Sequence, residues 1–488
     1  MSRTLSLLLV IAVWAAGYLP ALGSLQIRGE EGRRILPAVA MVDGAAAATD
    51  ANGIVRAFVV PQVAGRDYLR KPPLVNWLIA ASFSATGVRS AWTARLPSVL
   101  FVLAAAIAFL TIARRRLGAA GSTVAALCWL TSLGTLEKGR MIEIDAINTS
   151  LCAVALVCWL TWWLEGHSPW KTWAFPSLLL GLSLLAKGPV VLSFFYALIA
   201  AVLWRARRLD QLVSRYHVLG LLLMLAIFCV WAVPLLLQLG TQAPLQVWSR
   251  EMALPVAGRD VLDLGHWILN VPRGATLFLP AALLLPFIRY DRIEDALERE
   301  CARTLARAAL ALFLIVLLLP GSYPKYAMPL LPAMCWLIGV AVANNAFEWR
   351  LGFKDKQLRV PRPVLVGGVA LLAAAAVIGV PLHAATFPEA QQHVKRNAAR
   401  IDAAVPAGEP LYVLDAPHES FLFYLRPRLR YVESVDELPA DARYFMARRA
   451  RYHEAIVASA RWPTPPRIVA ETDASPRNVM AVYAVDSP

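Results

Sequence analysis

Two carboxylates, Glu30 and Glu31, stand side by side just after the first long apolar run, Leu5 to Leu25. They sit in a knot of charge, Arg28-Gly-Glu-Glu-Gly-Arg-Arg34. Charge held at the mouth of a membrane-spanning run is costly, which raises a chemical reading beside the plain one of a solvated loop. Each acid could accept a proton from an attacking hydroxyl, hold a sugar hydroxyl or help to bind a metal, and Asp145 is a third group of this kind. The matching cations are Lys71, Arg140, Lys187, Arg259 and Lys325, with His266 nearby in sequence to Arg259. Several Lys and Arg at a membrane surface are the usual cradle for a phosphate.

The elements that position these residues are membrane spans. The 488-residue chain is 58% hydrophobic and only 17% charged, which excludes an ordinary soluble globule. Its net charge of +15 does not imply nucleic acid, because membrane proteins gather Lys and Arg in cytoplasmic connections for topological reasons. Five of the six cysteines, Cys128, Cys152, Cys158, Cys229 and Cys335, fall in apolar runs and Cys301 in a basic loop. No paired spacing points to a disulfide or a thiolate metal site.

At roughly 20 apolar residues per span, the pattern predicts about eleven transmembrane helices. Their expected extents are 5–25, 92–112, 119–136, 146–164, 171–186, 188–204, 218–238, 274–288, 306–320, 327–345 and 363–383. The first could also be read as a signal peptide, but it is long enough to span. Basic connections at Arg114 to Arg116, Arg205 to Arg208, Arg289 to Arg307 and Arg350 to Arg362 are expected inside. The isolated charges then share the outer side. Loop 26–91 is expected to carry interfacial helices at Ile35–Met41 and Leu74–Ile79, joined through Lys71-Pro-Pro73. The domain organisation expected is a transmembrane domain over 1–386 and a small soluble α/β domain over 387–488.

Motifs for nucleotide binding, zinc proteolysis or a serine nucleophile elbow are missing. Phosphate-binding cations with a carboxylate base are, however, the equipment needed to move a sugar from a lipid phosphate to a nucleophile. Six stretches carry a resemblance: Glu30-Glu31, Tyr68-Leu-Arg-Lys-Pro-Pro73 with Trp77, Ala94-Arg-Leu-Pro-Ser98, Arg140 with Asp145, Leu184-Leu-Ala-Lys-Gly-Pro189, and Tyr326-Ala-Met-Pro-Leu-Leu-Pro332. In order and spacing they resemble the bacterial protein-O-mannosyltransferase and 4-amino-4-deoxy-L-arabinose lipid A transferase superfamily of GT-C glycosyltransferases. The likeness covers about residues 5–345.

The resemblance implies an all-α polytopic GT-C fold and an inverting hexosyl- or pentosyltransferase of the bacterial inner membrane. The donor would be an undecaprenyl-phosphate sugar, and the acceptor a lipid A-like lipid or a protein, met at the periplasmic face. Glu30 falls where the family has the Asp of an Asp-Glu pair, Glu31 on the second acid and Asp145 on a further acidic site. Lys71 and Lys187 match donor-phosphate lysines and Tyr326 a tyrosine near the donor. Arg259 matches a phosphate-binding basic residue and His266 a loop histidine. His266, Arg140 and Lys325 are candidate donor or acceptor contacts. Where some relatives have an acid beside the Lys71 position, this chain has Arg70, so no metal ligand is assigned, although a divalent metal is compatible with the acids. The competing reading is a secondary transporter or polyprenyl-lipid flippase, for which internal symmetry and charges at mid-span are the expected signs.

Overall fold

The computed structural model describes residues 2–257, 264–353, 356–359, 361–388, 391–414 and 419–485. It is mostly helical. Among the described residues, five helices are long and apolar enough to cross a membrane: Ala91–Thr111, Ile144–Leu164, Arg215–Leu239, Pro324–Ala343 and Arg362–Thr386. Arg3–Tyr18 and Val190–Arg205 are apolar but shorter, while Arg114–Thr131, Pro169–Lys187 and Ala296–Leu317 are helices where further spans were expected.

Local chemistry sets the helix starts. The Ser2 hydroxyl accepts from Leu5 N at 3.1 Å, and Asp295 accepts from Leu297 N and Glu298 N at 2.8 and 3.0 Å, each satisfying first-turn amides. Close packing then selects small residues. A side chain at Gly121 would collide with the Gly339 carbonyl, so glycine lets helices Arg114–Thr131 and Leu331–Ala343 cross backbone to backbone.

The expected span at 274–288 is not one helix. It is a short helix, Asn270–Thr276, a turn and a 3-10 segment, Ala281–Phe287. Pro280 and Pro286 remove two amide donors and break the i to i−4 ladder. Released carbonyls are taken up elsewhere: Leu133 N donates to Leu279 O at 2.9 Å and Gly134 N to Leu277 O at 2.8 Å. That repair is the condition for irregular backbone within an apolar bundle.

By its contacts the chain divides into two compact units. The first comprises residues 1–22, 69–75 and 95–385; the second comprises 23–68, 76–94 and 386–488. One break in this division falls near residue 386, and most of residues 26–91 group with 386–488 rather than with the helices. Side-chain hydrogen bonds within the second unit explain this grouping. Ile27 N donates to the Tyr424 hydroxyl at 2.7 Å, Val394 N to Gln26 Oε1 at 2.8 Å, and Lys395 Nζ to Ser24 O at 3.0 Å. Helices Gly32–Ala47 and Leu74–Thr86 extend the two short ones expected in this loop.

The second unit contains a five-stranded sheet in the order Leu429–Val432, Leu411–Leu414, Tyr444–Arg448, Met480–Ala484, Arg467–Glu471. The first two pairings are parallel and the last two antiparallel. Phe445 stacks between Trp462 and Tyr483, with ring centroids 5.5 and 5.0 Å away, and Met480–Ala484 is wholly buried. Residues 350–362, expected as a basic loop, contain a hairpin pairing Arg350–Phe353 with Lys356–Arg359.

Candidate functional site

Within the first unit, the start of one helix, the end of another and a 3-10 segment meet around one buried acid. Asp145 lies in the first turn of helix Ile144–Leu164, only 3% exposed. Lys187 is the last residue of Pro169–Lys187, which stops because Gly188 takes φ of +94° and Pro189 follows. Lys325 stands in the 3-10 segment Pro324–Leu330, where prolines at 324 and 329 prevent a full helical ladder. Lys187 Nζ donates to Asp145 Oδ1 at 2.5 Å, and Lys325 Nζ is 3.4 Å from Asp145 Oδ2. Both carboxylate oxygens therefore face a lysine.

The cluster extends in two directions. Glu143, buried two residues before Asp145, accepts from Lys325 at 3.3 Å and from Lys138 at 3.4 Å. Lys138 also binds the exposed Glu137 at 2.9 Å. On the other side Lys187 Nζ lies 5.1 Å from the centre of the Tyr326 ring, within cation–π range, and Tyr323 packs edge-on against Tyr326. A buried carboxylate of this kind orders two flexible ammonium groups side by side. Arriving phosphate could replace it as their partner without moving their stems.

Lys71 is held separately. Its Nζ donates to Glu251 Oε2 at 2.7 Å, while Arg70 Nε donates to Glu251 Oε1 at 2.7 Å. Trp248, one turn earlier on helix Gln242–Ala257, donates to Leu69 O at 3.0 Å and fixes the approach. Burial alone would raise the Glu251 carboxyl, but hydrogen bonds and charge from Lys71 and Arg70 outweigh it and hold the group below its ordinary value. Glu251 and Glu143 were missed as site residues. Glu251 reads in sequence as a solvated loop charge, and the only signal for Glu143 was its place in Glu143-Ile-Asp145.

Arg140 has another task. Its Nη1 donates to Gly17 O at 2.8 Å and its Nη2 to Pro20 O at 2.7 Å, and Arg95 Nη1 donates to Leu22 O at 2.7 Å. The two guanidiniums cap the carbonyl end of helix Arg3–Tyr18, where orphan acceptors and the helix dipole favour cations. Burial, then the like charge of Arg95, lower Arg140 to about 10, which leaves it charged at neutral pH. Arg140 is 6% exposed and makes no ion pair with Asp145 among the described residues, so the geometry favours a structural role over the expected donor or acceptor contact.

Glu30 and Glu31 belong to the second unit and differ sharply. Glu31 is fully buried, and its carboxylate accepts from Arg28 N at 3.2 Å across the turn Gly29–Glu31. Glu30 is 43% exposed at its side chain, bonded to Arg33 at 2.7 Å and within 3.8 Å of Arg34. Arg34 is buried, donating to the Tyr68 hydroxyl at 2.9 Å while Asn76 donates to its carbonyl at 2.8 Å. Only Glu30 of the pair therefore presents a carboxylate to an incoming group. Arg259 lies outside the described residues; His266 is placed by its backbone on helix Leu264–Ile268. No three His, Cys, Asp or Glu side chains gather to hold a metal among the described residues.

Residues 70–233 match the family model described as dolichyl-phosphate-mannose-protein mannosyltransferase. No curated protein matches the chain by sequence. Among solved structures, ArnT from Cupriavidus metallidurans bound to undecaprenyl phosphate is similar at a TM-score of 0.68 and 17% identity, covering 99% of this chain and 97% of that one. The apo form of the same protein is similar at 0.65 and 18%, with the same coverage. The mannosyltransferase match across the segment that carries Lys71, Asp145 and Lys187, and an architecture shared with ArnT along nearly the whole chain, establish that this protein has the GT-C glycosyltransferase fold.

Proposed function

We propose that the protein transfers a sugar from an undecaprenyl-phosphate-linked donor to a cell-envelope acceptor, a lipid A-like lipid or a protein, at the periplasmic face of a bacterial inner membrane. The observation that carries this reading is the pair Lys187 and Lys325 on one buried acid, beside Tyr326, in a chain with the fold of an undecaprenyl-phosphate-binding protein. In this reading Lys71 and Lys187, with Arg259, take the charge of the donor phosphate, and Tyr326 flanks it. Asp145 keeps the lysines ordered and supports the sugar. Glu30 orients the acceptor hydroxyl and takes its proton. The acceptor oxygen bonds to the anomeric carbon as the sugar–phosphate bond breaks, and the electron pair leaves with the polyprenyl phosphate. That departing charge is what the lysines stabilise. With a phosphate acceptor no proton need be removed, and Glu30 acts as a positioning group.

The test uses purified protein and radiolabelled undecaprenyl-phosphate sugar, with envelope lipids and envelope protein as acceptors. Label should pass to one acceptor class, and Lys187→Ala should reduce transfer at least a hundredfold. Movement of intact donor across vesicles without cleavage would establish the transporter reading instead.

A further inference from the structure

At the far end of the first helix lies a second basic site that the transfer reaction does not use. A groove of about 700 Å³ is lined by Arg3, Arg114 and Arg115, with Thr4, Leu7 and Leu110 among its other walls. Arg3 begins the 16-residue helix whose other end Arg140 caps, so the groove lies roughly 24 Å, one helix length, from the carbonyls that Arg140 holds. It is therefore distinct from the acid–lysine cluster. We propose that this groove binds the headgroup of an anionic phospholipid.

Three observations support this occupant. Neighbouring arginines at the same end are neutralised internally: Arg116 by Asp295 and Glu298, Arg205 by Glu300 at 2.9 Å, and Arg289 by Glu348 at 2.8 Å. Arg3 and Arg115 have no acidic partner among the described residues, although acids were available to this end of the bundle. Second, the groove is lined by arginines together with the apolar side chains of Leu7 and Leu110, which matches a phosphate joined to acyl chains rather than a small soluble anion. Third, Leu5 and Leu8 beside it on the same helix are 55% and 59% exposed, so an apolar track leads from the groove along the helix. The basic connections of this end, Arg114 to Arg116 and Arg205 to Arg208, are those that face the anionic leaflet under the positive-inside rule.

Native mass spectrometry of the full chain in detergent, titrated with phosphatidylglycerol, phosphatidylcholine or inorganic phosphate, tests the proposal. Phosphatidylglycerol should bind at least about tenfold more tightly than phosphatidylcholine. The double variant Arg3→Gln/Arg115→Gln should lose about tenfold or more of that preference, at up to about fivefold per cation removed, while Arg115→Lys retains it. Should the double variant fail to fold, Arg3→Gln alone, in the exposed first turn, should weaken phosphatidylglycerol binding about fivefold. Equal binding of the two lipids, or variants that bind like the parent, would overturn the assignment. Displacement of the lipid by millimolar inorganic phosphate would do so too, giving the groove to a soluble anion.

Discussion

The carboxylates of Asp145 and Glu30 are held in opposite ways. Asp145 is buried, and its partners Lys187 and Lys325 come from 42 and 180 residues along the chain. Glu30 is half-exposed, and its partners Arg33 and Arg34 are three and four residues away on the helix that follows. An acid held by distant parts of the fold works as a fixed post for other groups. One held by its own turn stays accessible and can exchange partners at little cost, since exposed i,i+3 and i,i+4 pairs contribute only a few tenths of a kcal/mol.

Four measurements would sharpen or break that contrast. The largest effect should follow Asp145→Asn, which removes the carboxylate charge that faces Lys187 and loosens the hold on Lys325, still bonded to Glu143. Losing one partner of a buried pair costs about 3–5 kcal/mol, so both thermal stability and transfer should collapse. Unchanged melting and turnover would show that the cluster is not organised around this acid. Glu30→Gln should leave melting nearly unaltered but lower transfer to a hydroxyl acceptor by about 10²–10⁴-fold, with donor binding retained. Full turnover with a hydroxyl acceptor would remove Glu30 as the base.

Arg140→Lys keeps the charge but loses the two-pronged cap on Gly17 and Pro20. It should lower stability by about 1–3 kcal/mol without shifting the KM for donor, and a selective KM effect would instead restore Arg140 to the donor site. The smallest effect should be the acid sensitivity of the Glu251 clasp. Because the folded carboxyl lies below its ordinary value of 4.5, the stability it contributes is complete above that value and is lost as pH falls through the lower folded one. Melting curves below pH 4.5 should therefore fall less steeply in Glu251→Gln than in the parent. Parallel curves would mean that the clasp contributes nothing measurable.

Much of the architecture was readable from the chain. Long apolar runs announce helices because a backbone in lipid must satisfy its own hydrogen bonds, and ten of the eleven expected extents contain one long helix or a 3-10 turn continuing into one. The eighth failed at Pro280 and Pro286, where repair came from Leu133 and Gly134, about 150 residues earlier. Such a repair leaves no local trace in sequence. Short β-type segments between helical stretches are legible in the tail, whereas Leu429–Val432, with Arg430 in its middle, is a strand through its parallel pairing with Leu411–Leu414.

The sequence by itself determined the membrane class, the approximate helices and which residue types are available for chemistry, because composition, apolar length and residue type are local properties. Tertiary structure alone decided their partners. It joined Lys187 and Lys325 through Asp145, added Glu143 beneath them, gave Lys71 to Glu251, turned Arg140 into a helix cap and separated buried Glu31 from exposed Glu30. The physical reason is that a buried charge is tolerable only beside a counter-charge or dipole, and the fold supplies that neighbour from wherever the chain happens to return.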